Sequence, residues 1–211
     1  MPRVKDQVPL TKERIVTAAI DLIDRHGMNV LSMRRLAAEL AVMPTALYYH
    51  LGSKAELVHA VVAAVLATCN LAVSGTWRER VQSLCHAYRQ VAQRYPRVFP
   101  TAMTHTRNVP SDFAIAEALL DALEEGGLSA ADAVHGYNAL VTYVTGFAMD
   151  EITGSLLTFD DADAALASLP IERFPRLHAH RSQLSAVDAD KQFAFGLALL
   201  LEGLAARSGS R

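Results

Sequence analysis

Residues 32–54 constrain this chain more than any other stretch. They read Ser-Met-Arg-Arg-Leu-Ala-Ala-Glu-Leu-Ala-Val-Met-Pro-Thr-Ala-Leu-Tyr-Tyr-His-Leu-Gly-Ser-Lys, and the pattern predicts two short helices joined by a three-residue turn. Ser32 is placed to cap the first, its hydroxyl accepting from the open amides of the first turn. Leu36, Ala37 and Leu40 make the inward face of that helix. Ala41-Val42-Met43 forms the turn, and Pro44 opens the second helix, where a missing amide costs nothing. Leu47 and Leu51, four residues apart, point back toward the first helix. That leaves Thr45, Ala46, Tyr48, Tyr49 and His50 facing outward. A helix pair held from behind and polar in front offers its second helix to the major groove of DNA. A bland helical hairpin is the competing reading, but adjacent tyrosines and a histidine on so short a helix are poorly explained by packing.

The flanking residues fit the same head. Ser53 and Glu56 form a capping box for the next helix, and Lys54 sits in its first turn beside open amides, where a phosphate would bind. Arg34 and Arg35 lie beside the inward face and can reach phosphate, as can Ser32. Thr11 caps an earlier helix whose stripe is Ile15, Ala18, Ala19, Leu22 and Ile23, ended by Gly27. The overall charge of −2 looks wrong for a DNA partner until it is divided. Residues 1–54 carry eight Lys or Arg against five Asp or Glu, whereas residues 55–211 carry twelve against seventeen. Positive charge therefore collects where phosphates would lie.

Residues 11–54 resemble the tetracycline-repressor (TetR) family of bacterial transcription regulators. The resemblance is carried by Arg-His-Gly at the end of the first helix, Leu-Ser-Met-Arg-Arg-Leu-Ala, and Pro-Thr-Ala-Leu-Tyr-Tyr-His-Leu-Gly-Ser-Lys. It covers about a fifth of the chain and is specific. It implies an all-α homodimer with two heads on a double-stranded DNA operator, and a C-terminal body that binds a small effector and shifts helix four. Met33 and Pro44 stand where some members carry polar base-contacting residues, so no base code carries over.

The expected organisation is a three-helix DNA-binding head with a helix-turn-helix at 1–54, followed by a helical bundle at 55–211 for effector binding and dimerisation. Helices are expected at about 54–70, from 77 to before Pro96, 101–107, 111–125, 129–152 and 190–207, with one short helix within 153–187. From Phe193 to Ala206 only Glu202 is charged. A surface helix of a monomer shows one apolar stripe, so this one is expected to be covered on both sides. With the helix near 129–152 it predicts a homodimer interface, two half-sites roughly 34–36 Å apart sharing the reading.

Asn138, Thr142, Thr145 and Asp150 interrupt an otherwise apolar helix, next to Val141, as a polar ribbon that Tyr88, His86, His105, Thr106 and Arg107 could approach. A mostly apolar cavity with a few polar groups suits a small molecule. Backbone bonding, or bonding across a dimer, explains the same ribbon equally well. The body also resembles, more loosely, the effector domain of the tetracycline repressor itself. That likeness would place Asn70, Leu84, Tyr88, Met103, Thr106, Arg107 and Asp150 around the ligand. Leu84 and Met103 are apolar where a metal-chelating site would want an amide and an imidazole. The expected effector is therefore small and fairly apolar, with no metal and no cofactor.

Other chemistry finds little support. His178-Ala-His180 lacks a further ligand at metal spacing, and Cys85-His86 point about 100° apart on a helix. There is no Gly-rich phosphate loop and no Gly-x-Ser-x-Gly elbow, so an enzyme is not expected. The longest apolar stretch, Phe193 to Leu201, has nine residues, too few to span a bilayer. No apolar run stands near residue 1, and Cys69 and Cys85 suit reduced thiols, so a cytoplasmic location is expected. The function expected is a ligand-released repressor, the alternative being a constitutive DNA-binding regulator without an effector.

Overall fold

The computed structural model describes residues 9–105, 109–154, 162–186 and 188–208. Among the described residues there are twelve α-helices and no strand. They fall into two compact units, one of Met1–Cys69 with Arg94–Ala114, the other of Asn70–Gln93 with Ile115–Arg211.

The first unit holds α1 (Lys12–His26), α2 (Met33–Glu39), α3 (Pro44–Leu51), α4 (Lys54–Leu66) and α6 (Phe99–His105). Each expected cap is present. The Thr11 hydroxyl accepts from Arg14 N at 3.2 Å, Ser32 from Arg35 N at 3.2 Å, and Ser53 from Glu56 N at 3.1 Å. These bonds satisfy amides that a helix start leaves open. The buried stripe of α1 is Ile15, Val16, Ala19, Leu22 and Ile23; Val16 takes the place expected for Ala18, which is only half-buried. Helix α4 stops at Leu66, four residues short of the expected end. Ser111 donates to the Ala63 carbonyl at 2.9 Å, tying the later part of this unit to α4.

The second unit is built on α5 (Trp77–Arg94), α8 (Ala130–Thr153) and α12 (Ala189–Ala205), with the greater part of α7 (Pro110–Glu125). Close approach is engineered with glycine. A Cβ at Gly126 would sit 2.7 Å from the Trp77 ring, and one at Gly136 2.7 Å from Leu204. At Gly196 the Tyr143 hydroxyl occupies the space a Cβ would need, because it donates to the Phe193 carbonyl at 2.9 Å. Gly196→Ala is therefore expected to destabilise the protein by about 1–3 kcal/mol through overpacking. A denaturation midpoint equal to wild type would show that α12 can slide to make room.

Residues 162–186 form three short helices, not one: α9 (Ala162–Ala167), α10 (Pro175–Ala179) and α11 (Arg181–Leu184). They pack on one another, and Arg181 Nε bridges to Asp163 at 2.8 Å. The His178 Nε2 lies 2.7 Å from the Leu169 carbonyl. Cys69 and Cys85 are buried and not bridged, and burial pushes the Cys69 thiol up to about 11.

Candidate nucleic-acid interface and effector body

The inner half of α3 is fixed by burial. Leu47 and Leu51 are buried behind α3, and Leu36, Ala37 and Met33 behind α2. Met33 is thus core and lies off the exposed face of the head. The turn closes through Ala41 N to Ala38 O at 3.2 Å and Val42 N to Ala37 O at 2.9 Å. It holds Ala41 at φ 54°, a left-handed conformation that costs a residue with a Cβ roughly 1–2 kcal/mol. Gly52 ends α3 at φ 61°, and a Cβ there would press on the Glu56 carboxylate.

On the outer half, Tyr48 is 49% and Tyr49 88% exposed. Thr45 is exposed beside them, and Ala46 and His50 are half-buried. Tyr49 meets the His50 ring edge-on at 5.5 Å. Ser32, Arg34, Arg35 and Lys54 are also exposed. All nine residues singled out for DNA contact therefore belong to the head unit, seven of them fully at the surface.

The expected effector residues are dispersed. Leu84 and Tyr88 are buried one turn apart on α5. Asn70 is exposed and accepts from Ala72 N at 3.1 Å. Met103, half-buried on α6, belongs to the first unit, and Thr106 and Arg107 lie outside the described residues, as does the His105 side chain. The ribbon on α8 does not run through the interior: Asn138, Thr142 and Asp150 lie on an exposed face, with Asn138 Nδ2 donating to its own helix at Val134 O, 2.9 Å away. Spacings of four and eight residues keep these three on one face whichever way that face points. Val141 and Thr145 turn partly inward. The Thr145 hydroxyl is buried without a hydrogen-bond partner, a state that costs about 1–3 kcal/mol.

The most developed polar site in the second unit involves residues the sequence did not mark. Arg89 on α5 is buried among three helices. Its Nε and Nη2 donate to Glu151 on α8 at 2.8 and 2.6 Å, and its Nη1 pairs with Asp190 on α12 at 2.8 Å. Gln93 donates to the same Glu151 at 2.9 Å. The guanidinium carbon lies 4.8 Å from the Phe193 ring centre and 5.3 Å from that of Phe147. Planar guanidinium, forked carboxylate and aromatic faces are a matched set. The bond from Arg89 holds the Glu151 carboxyl below its usual range.

His86 completes this cluster, its ring edge-on to Phe193 at 5.0 Å. Burial lowers its pKa and the Arg89 cation adds to the effect, with Asp190 opposing. A histidine held below its ordinary pKa contributes stability that is present above about pH 6.5 and lost as the pH falls through its folded value. The melting temperature is therefore expected to drop between pH 7.5 and 5.5, and by less in His86→Gln. Identical slopes in the two proteins would assign the acid sensitivity elsewhere.

A groove of about 330 Å³ runs between α8 and α12, floored by Gly136, Ala139, Leu200 and Gly203. The Arg207–Asp132 pair, at 3.2 Å, stands on its wall. Phe195 and Leu199 on α12 and Val134 on α8 are about half exposed or more.

Residues 15–61 match the family described as "Bacterial regulatory proteins, tetR family". Residues 71–208 match "Tetracyclin repressor-like, C-terminal domain". The tetracycline repressor protein class A from transposon 1721 of Escherichia coli is 30% identical over 205 residues, covering 94% of this chain and 92% of its own. The Streptomyces coelicolor TetR family protein ActR, solved in complex with actinorhodin, has a TM-score of 0.84 at 31% identity over 96% of this chain and 100% of its own. BioQ, solved with its natural double-stranded DNA operator, has a TM-score of 0.69 at 31% identity over 94% of this chain and 99% of its own. The chain belongs to the TetR family of bacterial DNA-binding transcriptional regulators, proteins that regulate and do not catalyse.

Proposed function

We propose that this regulator is a cytoplasmic, homodimeric repressor that occupies a pseudo-palindromic operator and is released by a small, fairly apolar effector. Residues 1–54 read the DNA, and residues 55–211 take up the effector and dimerise. One observation carries the reading: α3 buries Leu47 and Leu51 and turns Thr45, Tyr48 and Tyr49 outward. Ala46 and His50 flank them. Arg34, Arg35, Lys54 and Ser32 supply phosphate contacts, which fix register, while α3 reads the base edges.

The apolar outer face of α12, beside an outer face of α8 that carries Val134, Ala139 and Gly146, favours a two-fold dimer. Exposed Phe195 and Leu199 on one helix and open space beside Gly146 and Gly203 are what a second copy would cover. Leu199→Glu is expected to give a folded monomer by light scattering; a dimer of unchanged stability would place the interface elsewhere. For the effector, Leu84 and Tyr88 supply an apolar wall with a phenol, and Val141 and Thr145 a flank with an unpaired hydroxyl. Asn70, Asn138 and Asp150 of the same unit stay in the candidate set, and Met103, Thr106 and Arg107 rest on the likeness to the tetracycline repressor alone. ActR, solved in complex with actinorhodin, supports an organic small-molecule effector. An effector acts by binding the DNA-free state better, and a coupling of about 1–3 kcal/mol changes operator affinity roughly 5- to 150-fold.

Selection of bound duplexes from a random DNA pool at near-physiological salt tests the reading directly. An enriched inverted repeat is the expected result. Failure to enrich any sequence would remove α3 as a reader.

A further inference from the structure

We infer that Met43 determines operator specificity by packing against the 5-methyl group of a thymine in each half-site. The inference rests on the DNA-reading role proposed for α3. Met43 is the N-cap residue of α3, and it makes no capping bond. Thr11, Ser32, Ser53 and Ser129 all cap their helices through a side-chain oxygen, which is what that position favours. Nor does Met43 pack: it is 71% exposed, whereas the other large aliphatic residues of the helix, Leu47 and Leu51, are buried. A large apolar side chain that neither caps nor packs stands at the end of a recognition helix that meets base edges.

The chemistry of the neighbouring residues narrows what it meets. Residues 43–50, Met-Pro-Thr-Ala-Leu-Tyr-Tyr-His, contain no Arg, Lys, Asn or Gln, the side chains that read guanine or adenine with paired hydrogen bonds. Pro44 has no amide to donate, and the Ala46 amide is spent on the Met43 carbonyl at 3.0 Å. The leading turn of α3 therefore presents methyl and thioether groups with few donors. In the major groove the feature such a surface recognises is the thymine methyl. A thioether on three rotatable bonds moulds to it readily.

The test uses the full-length protein and the half-site obtained by selection. Each thymine is replaced singly by deoxyuridine, which removes the methyl and preserves pairing. At one thymine, wild type is expected to lose about four-fold in affinity per half-site, and on the order of fifteen-fold when both half-sites are changed, as for one buried methyl each. Met43→Ala should bind the two DNAs equally, with a melting temperature unchanged because the side chain is exposed. Met43→Gln should shift the selected base toward adenine. A consensus without thymine overturns the inference while leaving the reading by α3 intact. So does sensitivity to deoxyuridine that persists in Met43→Ala. Failure of wild type to select any sequence overturns the reading itself.

Discussion

Alanine at position 89 is expected to lower the melting temperature by roughly 10 °C. The Arg89 side chain is 5% exposed and its partner Glu151 13%, so removing the guanidinium leaves a carboxylate desolvated and unpaired. Breaking a buried pair in this way costs about 3–5 kcal/mol, and in a protein of this size each kcal/mol moves the midpoint by roughly 2–4 °C. The loss is sharpened by the rings of Phe147 and Phe193, which each lose a cation contact. Lysine should recover only part of it, since an ammonium cannot fork onto Glu151 or present a planar cation to the aromatic rings. The double change Arg89→Met with Glu151→Leu should recover more, because no charge is then stranded. Calorimetry of the three variants checks the series. A midpoint for Arg89→Ala within a degree or two of wild type would mean that water replaces the lost partner.

Tyr48→Ala is expected to cut operator affinity by roughly 100-fold or more while the dimer remains intact. A base-reading contact is worth about 1–3 kcal/mol, and two-fold symmetry removes it from both half-sites at once. The side chain is half exposed, so its loss costs the fold little. Titration of the selected duplex, with light scattering on the same sample, separates the two effects. Binding within about three-fold of wild type would exclude Tyr48 from the interface.

The head was legible because its rules are local. Caps at Thr11, Ser32 and Ser53, proline at the start of α3, and the four-residue spacing of Leu47 and Leu51 act within one or two turns, and each occurs as read. The body yielded its long helices on the same grounds. Its polar chemistry was another matter. Arg89 finds Glu151 62 positions later and Asp190 farther still, and on α5 alone it looks like any solvated arginine. Conversely, the sequence pattern sent Asn138, Thr142 and Asp150 into the interior because the same exposed face of α8 also carries small apolar residues, Ala139 and Gly146. With apolar residues all round, periodicity identifies a helix but not which side of it meets solvent. Residues 162–186 were under-read for a different reason. Helices of four to six residues have too few turns for a stripe to repeat.

The division of the chain into units bears on attempts to exchange heads between regulators. The first unit is not a continuous segment; it takes back residues 94–114 after the second has begun. A chimera cut after residue 69 would carry α4 with its Ala63 carbonyl stripped of Ser111 and the α4–α6 packing unmade. Grafting residues 1–52 alone keeps a recipient's α4 with its own α6 and leaves the packing of α1 and α3 on α4 to be matched. Junctions placed in the turn before Ser53 thus exchange DNA preference while leaving each recipient's own α4–α6 pairing whole.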